Sequence, residues 1–333
     1  MTTILRENSM LTVDEAAGLI RKGSRLLVSG DEKLLTALPH GDWIGGTTPY
    51  FMTEQGGTHT QAKVQVVKLP QQVAQVHIRL YAANELEKIP ASYYDNGFSY
   101  LLIPAFTDAH SRFAKECSTW EGVFERPLVG WITGVQLEDI GKVKPKVVNG
   151  QTGEVSEESA AVMHIELAEG FHAEANIINL FRQGEGDTLT FPAAGFEVSE
   201  CLVNGAPQNF GAYITESKID TQLPLVADYL GAMINVSIQD VDQHSGQVKL
   251  YAPVFPSIEY KFARPVADYE GEFRRELAAQ DADPAFTCNC ILNYLYAKLE
   301  GKKTGSVVGP ITFGEIAYML LNQTLVYVQI VKG

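Results

Sequence analysis

The 333-residue chain is poor in cysteine and histidine, with four residues of the first type and seven of the second. Four cysteines in a chain of this length argue against a disulfide framework, which small secreted domains build from a dense cysteine pattern. A structural zinc site needs four ligands, usually from two closely spaced pairs. Cys117 and Cys201 stand alone, and no two histidines have ligand spacing. The sequence therefore predicts neither a disulfide scaffold nor a metal site.

Basic residues are also scarce, because 26 lysines and arginines stand against 40 acidic residues and leave a net charge of −14. Phosphate backbones and anionic lipid repel such a chain, so we expect no nucleic-acid partner. No apolar run reaches the roughly 18 residues that cross a bilayer. The first residues lack the apolar core of a signal peptide. We therefore expect a cytoplasmic protein without membrane insertion.

Several catalytic signatures are missing. The chain has no G-x-S-x-G nucleophile elbow, no Walker A phosphate loop, no H-E-x-x-H zinc motif and no G-x-G-x-x-G after a strand. These absences favour a binding protein over an enzyme.

What the sequence does contain is an alternation of strand and helix patterns. Thr12 and Glu15 form a capping-box pattern ahead of an apolar helical stripe that ends near Gly23. Strand patterns recur at 25–30, 63–69, 76–83, 98–106, 126–134 and 159–167, and helical patterns at 84–94 and 108–120. In the strand at 159–167, alternation predicts one apolar face and one wet or polar-lined face that carries His164. Further strands are predicted at 232–239, 247–253, 257–263 and 323–331, and a helix at 266–280.

This alternation predicts a mixed α/β (α+β) fold with two sheet-containing halves, helices packed on the sheets and a cleft between the halves. We place an N-terminal helix at 1–24, one domain at 25–190 and a second at 191–333. The boundary falls near a stretch rich in glycine and proline. Two Asn-Gly pairs, at 149–150 and 204–205, predict tight hairpin turns.

Cys288 and Cys290 form the one close cysteine pair. Two residues apart, they share a face only on a strand and not on a helix. Without visible partner ligands, packing is favoured over metal or redox ligation, since free cysteine behaves as a small hydrophobe. If the segment is helical, Asn289 and Asn293 lie on one face.

Two other segments are candidate binding elements. Gly45 and Gly46 precede Thr47, Thr48 and Tyr50, so the backbone can approach a ligand closely while the side chains donate hydrogen bonds. The alternative is a glycine bulge in a strand. Glu315 lies among apolar residues, where a carboxylate needs a partner. It is expected either to cap a helix that starts there or to bind a ligand amine.

The C-terminal sequence resembles the end of the FIST family, named for F-box and intracellular signal transduction proteins. The resemblance rests on Cys288 before a helix, the Gly314-Glu315-Ile316 segment, and Asn322-Gln323-Thr324 before a final strand. "ECLVNGAPQNFGAYI", "RPLVGWITG" and "DWIGGTTPY" look like further parts of that pattern, over roughly residues 25–330. The arginine that the family carries after its cysteine is missing, which fits a divergent bacterial subgroup.

This resemblance implies a sensory module that binds a small ligand, with amino acids and their derivatives as the implied class. Haem is a cofactor that the resemblance also allows. The implied partners are signalling proteins such as a histidine kinase, a cyclase or a chemoreceptor, and output would act in trans.

The resulting hypothesis is a cytoplasmic, sensory, small-ligand-binding protein. Its site residues are polar or aromatic residues within apolar stretches: Thr47, Thr48, Tyr50, Trp131, Cys288, Asn289, Asn293 and Glu315. One alternative is a hydrolase or transferase that uses Cys288 or Cys290 as a nucleophile, which requires a depressed thiol pKa. Another is a non-catalytic scaffold or oligomer component whose final strand is either central or pairs across an interface.

Overall fold

The computed structural model describes residues 8–229, 232–279, 284–304 and 307–333. It is a mixed α/β structure, as predicted, with 43% strand and 19% helix. The prediction of helices packed on the sheets is wrong for most of the molecule, because the protein is strand-rich and its sheets pack largely against one another. The longest described helix has only 11 residues, which is too short to cover a six-stranded sheet.

The helices and strands are numbered in chain order. The α-helices are α1 Val13–Arg21, α2 Glu32–Leu35, α3 Asp108–Glu116, α4 Phe210–Glu216, α5 Tyr269–Ala279 and α6 Ile291–Tyr296. Short 3-10 helices lie at Ala83–Lys88, Pro90–Ser92, Cys117–Thr119 and Leu137–Asp139.

The strands of the first half are β1 Asn8–Leu11, β2 Leu26–Gly30, β3 Trp43–Thr47, β4 Tyr50–Thr53, β5 Gly56–His59, β6 Val64–Lys68, β7 Val73–Tyr81, β8 Gly97–Pro104, β9 Leu128–Thr133, β10 Val147–Asn149, β11 Glu154–Ser156, β12 Ala160–Leu167 and β13 Phe171–Ile178. Those that follow are β14 Leu189–Thr190, β15 Gly195–Val198, β16 Glu200–Val203, β17 Ala206–Asn209, β18 Leu225–Tyr229, β19 Ala232–Val236, β20 Ile238–Val241, β21 Val248–Val254, β22 Tyr260–Phe262, β23 Phe286–Cys290, β24 Gly309–Thr312, β25 Glu315–Ala317, β26 Met319–Leu321 and β27 Leu325–Lys332.

These strands form five sheets. Sheet 1 has the order β1-β6-β2-β3-β10-β11, sheet 2 the order β26-β25-β9-β8-β12-β7, and sheet 3 the order β13-β27-β23-β24-β4-β5. Sheet 4 has the order β17-β16-β14-β22-β18-β19, and sheet 5 the order β15-β21-β20. The pairs β2–β3, β8–β9 and β23–β24 are parallel. Sheets 2 and 3 each contain strands from both sides of residue 190.

One apolar core joins sheets 1, 2 and 3. It contains Ile44 of sheet 1, Tyr100 and Met163 of sheet 2, and Phe286 and Val326 of sheet 3, all buried. The other face of sheet 2 packs with α3 and with sheets 4 and 5 in a second core. Because sheet 2 is covered on both faces, its strands β8 and β9 are buried along their whole length.

The predicted first helix is confirmed. The Thr12 hydroxyl accepts from the Glu15 N–H, and the Glu15 carboxylate accepts from the Thr12 N–H at 2.8 Å. Ala16, Ala17 and Ile20 are its buried face, and they pack on sheet 1. The wet or polar-lined second face predicted for β12 is wrong for most of the strand, because Ala160 and Val162 pack into the second apolar core and only His164 brings a buried polar group to that face. His164 is fully buried there, bonded to Tyr81 Oη at 3.0 Å and Ser99 Oγ at 2.8 Å.

Two C-terminal predictions are wrong. Residues 286–290 form strand β23 ahead of the short helix α6, so Asn289 is not helical. Glu315 begins strand β25 of a β25–β26 hairpin, so it caps no helix. In both segments tertiary pairing decides the structure, since β23 lies between β27 and β24 and β25 lies between β9 and β26.

Among the described residues, no helix combines the length and the apolarity needed to cross a membrane.

Candidate functional site

Glu315 lies at the centre of a buried polar cluster formed by Asn289, Cys290, Asn293, Thr312, Glu315 and Thr324, which we call the Glu315 cluster. Each of these residues is at most 3% exposed. The Glu315 carboxyl accepts from Thr324 Oγ at 2.8 Å and Thr312 Oγ at 3.2 Å. The cluster brings together β23, α6, β24, β25 and the residue that precedes β27.

Burial raises the pKa of Glu315 to about 8, and the hydrogen bonds from Thr324 and Thr312 offset only part of that effect. The carboxyl group is therefore largely protonated at neutral pH. A neutral, covered carboxyl group is a poor partner for a ligand ammonium group. The predicted role of Glu315 in binding an amine therefore has no geometric support.

Asn289 and Asn293 do meet, although for a different reason than helical spacing. Asn293 Nδ2 donates to Asn289 Oδ1 at 2.9 Å and to the Thr324 carbonyl at 3.2 Å. Asn289 Nδ2 and Asn293 Oδ1 have no partner among the described residues. The amide pair links the end of β23 to α6 and faces the core.

Trp131 and Cys288 lie in the apolar core shared by sheets 1, 2 and 3. Trp131 Nε1 donates to Tyr100 Oη at 2.7 Å, and the Cys288 thiol donates to the Gly130 carbonyl at 3.4 Å. Tyr50 accepts from the Leu137 N–H at 3.2 Å and packs beside Tyr294. These three predicted site residues therefore have structural partners.

Thr47 and Thr48 are different, because both line a pocket of about 390 Å³. We call it the β2–β3–β9 pocket, since its walls follow the carboxyl ends of those strands. The Gly134 N–H donates to the Thr47 carbonyl at 2.8 Å, and the Thr48 N–H donates to the Gly30 carbonyl at 3.1 Å. The pocket is lined by Gly30, Asp31, Glu32, Lys33, Thr47, Thr48, Pro49, Gln61, Gly134, Val135, Gln136, Asp139, Val143 and Lys144.

The two threonine hydroxyls hold this pocket together. Thr48 Oγ donates to the Ile311 carbonyl at 2.7 Å, and Thr47 Oγ accepts from the Lys146 N–H at 2.9 Å. Thr48 thus ties the pocket to β24. The sequence pattern predicts that these hydroxyls donate to a ligand, whereas in the structure they fix the backbone that forms the pocket wall.

The charged side chains of the pocket are not among the site residues predicted from the sequence. Asp31 and Lys33 follow β2, and Asp139 and Lys144 follow β9. The sequence feature that could have identified these residues is their position, since each follows a predicted strand. Ligands of α/β sheets bind outside the carboxyl ends of parallel strands. The sequence does not give the strand order, so it could not show that the ends of β2 and β9 border the same pocket.

All four cysteines are free and buried. Burial, with Glu315 nearby, raises the pKa values of Cys288 and Cys290 well above that of a free thiol. Burial also raises the pKa of Cys117 to about 12 and that of Cys201 to about 11. A nucleophilic cysteine needs the opposite shift, so the thiols do not support the cysteine-enzyme alternative. Within the described parts of the chain, no three metal-ligating side chains are grouped.

Residues 11–331 match the Family of unknown function (DUF6976), and the chain belongs to that family. No curated protein matches the chain.

Proposed function

We propose that this chain is a small-ligand-binding protein whose ligand occupies the β2–β3–β9 pocket. The observation that carries the proposal is the position of that pocket at the carboxyl ends of β2, β3 and β9, with Thr47 and Thr48 in its wall. Its volume of about 390 Å³ falls within the usual range of small-molecule sites.

The charges around the pocket favour a zwitterionic ligand. Asp31 and Asp139 offer carboxylates to an ammonium group, while Lys33 offers an ammonium group to a carboxylate. Lys144 also lines the pocket, but its ammonium group is paired with Glu158 at 2.7 Å. Free amino acids carry an ammonium and a carboxylate group on the same carbon atom. They are also the ligand class that the resemblance to the FIST family implies.

A sensory role follows from this proposal. The ligand would change the loops after β2 and β9, and a signalling partner such as a histidine kinase, cyclase or chemoreceptor would recognise the change in trans. The proposed compartment is the cytoplasm, and haem is no part of the site proposed here. The alternative of a scaffold loses one of its supports, because β27 lies between β13 and β23 and is not an edge strand.

The proposal predicts that free amino acids raise the melting temperature of the purified full chain by mass action. The variants K33Q and D139N each remove one charge from the pocket and should weaken binding of the best amino acid by roughly 5- to 10-fold, as for an exposed charge-assisted contact. K142Q is the matched control, because Lys142 is an exposed lysine of the same segment outside the pocket wall.

If the amino acid raises the melting temperature equally in K33Q, D139N and K142Q, its binding site lies outside this pocket. The absence of any shift in the wild-type chain, with the twenty amino acids at millimolar concentration, would contradict the proposal itself.

A further inference from the structure

A second pocket, of about 310 Å³, lies between the first turn of α3 and sheet 5. It is lined by residues that include Phe106, His110 of α3, Phe196 of β15 and Tyr251 of β21. Like the β2–β3–β9 pocket it follows the carboxyl end of a parallel strand, in this case β8. The two pockets share no lining residue.

The imidazole of His110 has one hydrogen-bonded nitrogen and one nitrogen without a partner. The backbone N–H of Phe106 donates to His110 Nδ1 at 3.4 Å. The backbone N–H of His110 separately donates to Thr107 Oγ at 3.1 Å, within the first turn of α3. Nε2 is buried and has no partner among the described residues. Burial lowers the pKa of His110 to about 4. The ring is therefore neutral at pH 7, and because Nδ1 accepts, Nε2 carries the proton.

A buried N–H without a partner is rare and costs free energy. A ligand acceptor would satisfy it. In this tautomer neither ring nitrogen offers a lone pair to a metal, so the group is suited to donate to an oxygen or nitrogen acceptor.

Aromatic side chains line the same pocket as this donor. Phe196 lies at the irregular position between Gly195 and Glu197, where the register of β15 and β21 shifts. Such bulges redirect side chains, and the Phe196 ring lies edge-on to His110 with centroids 5.9 Å apart. Phe196 is only partly buried, and a ligand that bonds to the buried Nε2 requires this ring to turn aside.

Phe106 adds an exposed aromatic face. Its side chain is 58% exposed and its φ is 66°, a strained value for a bulky residue. Strained, non-glycine positions of this kind often mark functional sites. Phe106 also packs edge-on against Phe313, with centroids 6.2 Å apart.

The charges near the pocket do not favour an anion. Asp108 and Glu197 both line it, and the one lining lysine, Lys249, lies 3.8 Å from the Glu197 carboxylate. A carboxylate ligand would therefore meet two like charges and a lysine that already has a partner. An uncharged ligand avoids this repulsion.

We propose that this pocket binds an uncharged aromatic or heteroaromatic compound that carries a carbonyl group. Its ring packs between Phe196, Tyr251 and Phe106, and its carbonyl oxygen accepts from His110 Nε2. This site is independent of the amino-acid site proposed above, since it uses a different wall of the fold and ligand chemistry of a different charge.

Calorimetric titration of the full chain with nicotinamide, an uncharged heteroaromatic amide, tests the proposal. We expect nicotinamide to bind more tightly than nicotinate, which is anionic, and more tightly than cyclohexanecarboxamide, which lacks the aromatic ring. H110F keeps a ring but removes the donor and should weaken nicotinamide by about 10-fold, the usual effect of one hydrogen bond. H172F, at an exposed histidine of β13, is the control and should bind as the wild type does.

Nitrogen-15 spectra of the wild-type histidine rings give a readout that needs no folded variant. Nicotinamide should shift the Nε2 resonance of His110 and leave that of His172 in place. Equal affinity in H110F and the wild type, an unmoved His110 resonance at saturation, or no binding of nicotinamide at millimolar concentration would each overturn the proposal. Binding that T47V abolishes would also overturn it, since that result would assign the ligand to the other pocket.

Discussion

Glu315 shows how a buried ionisable side chain links this fold to pH. Its pKa is about 8 in the folded protein and its ordinary value is 4.5. A raised carboxyl pKa contributes stability that is complete below pH 4.5 and is lost as the pH rises through about 8. Burial of His164 makes stability depend on pH in the opposite direction, because it lowers the pKa of His164 from 6.5 to about 4. Its contribution is present above pH 6.5 and is lost as the pH falls.

These signs predict the pH dependence of unfolding. Between pH 4.5 and 6.5 His164 and His110, whose pKa is also lowered to about 4, together outweigh Glu315, so that stability rises with pH. Between pH 6.5 and 8 Glu315 is the one of these three groups that titrates. In the upper window the free energy of unfolding should fall by up to ~1.4 kcal/mol per pH unit, the value for one proton. The variant E315Q, measured by urea unfolding at each pH, should lose this slope.

The control for this measurement is E121Q, which alters an exposed glutamate and should keep the wild-type slope. A slope in E315Q equal to that of the wild type would show that Glu315 is ionised in the folded protein at neutral pH.

The sequence predicted that a carboxylate at position 315 would need a partner, but it could not identify that partner. Thr312 precedes Glu315 by three residues, whereas Thr324 and Cys290 come from separate strand ends. The prediction that Asn289 and Asn293 lie close together was correct, but it assumed that both are helical, whereas Asn289 lies in strand β23. Short-range spacing therefore found the cluster members but not the hydrogen bonds that join them.

At the scale of elements, β9 illustrates how closely the central strands of sheet 2 approach one another. Gly130 has a φ of 153°, and a Cβ atom added there would lie 1.8 Å from the Leu101 carbonyl oxygen of β8. Moving the backbone atoms of a central strand away from this contact would cost a large amount of free energy. Only glycine fits this position.

We predict that G130A lowers the free energy of unfolding by about 3 kcal/mol or more, through overpacking and forced backbone shifts. G18A is the matched glycine-to-alanine control, because Gly18 lies in α1 and an added Cβ meets nothing within 4 Å. It should raise the free energy of unfolding by up to about 1 kcal/mol, from helix propensity. Equal effects of the two changes in chemical unfolding would refute this account of the β8–β9 contact.

Elements with a strong local signal were predictable. The capping box of Thr12 and Glu15, the apolar stripe of α1 and the Asn204-Gly205 turn, with φ values of 50° and 83°, all lie where the sequence places them. Strand β23 was not predictable, because it is buried on both faces and shows no alternation. The β25–β26 hairpin turns at Tyr318, whose φ is 63°, and no glycine or asparagine marks that turn.

At the scale of the whole molecule, the packing of sheets on sheets was hidden from the sequence. Strand β4 pairs with β24, and β9 pairs with β25, across more than 180 residues of chain. Local patterns contain no information about such pairings. The position of the β2–β3–β9 pocket depends on them, since Thr48 is bonded to the Ile311 carbonyl of β24.

The most direct test of the central claim is an amide chemical-shift map of the full chain titrated with the amino acid that stabilises it most. The account predicts the largest shifts in the loops after β2, β3 and β9, at Asp31, Thr48 and Gly134, with saturation at one ligand per chain. Shifts confined to other surfaces, or none at millimolar concentration, would contradict it.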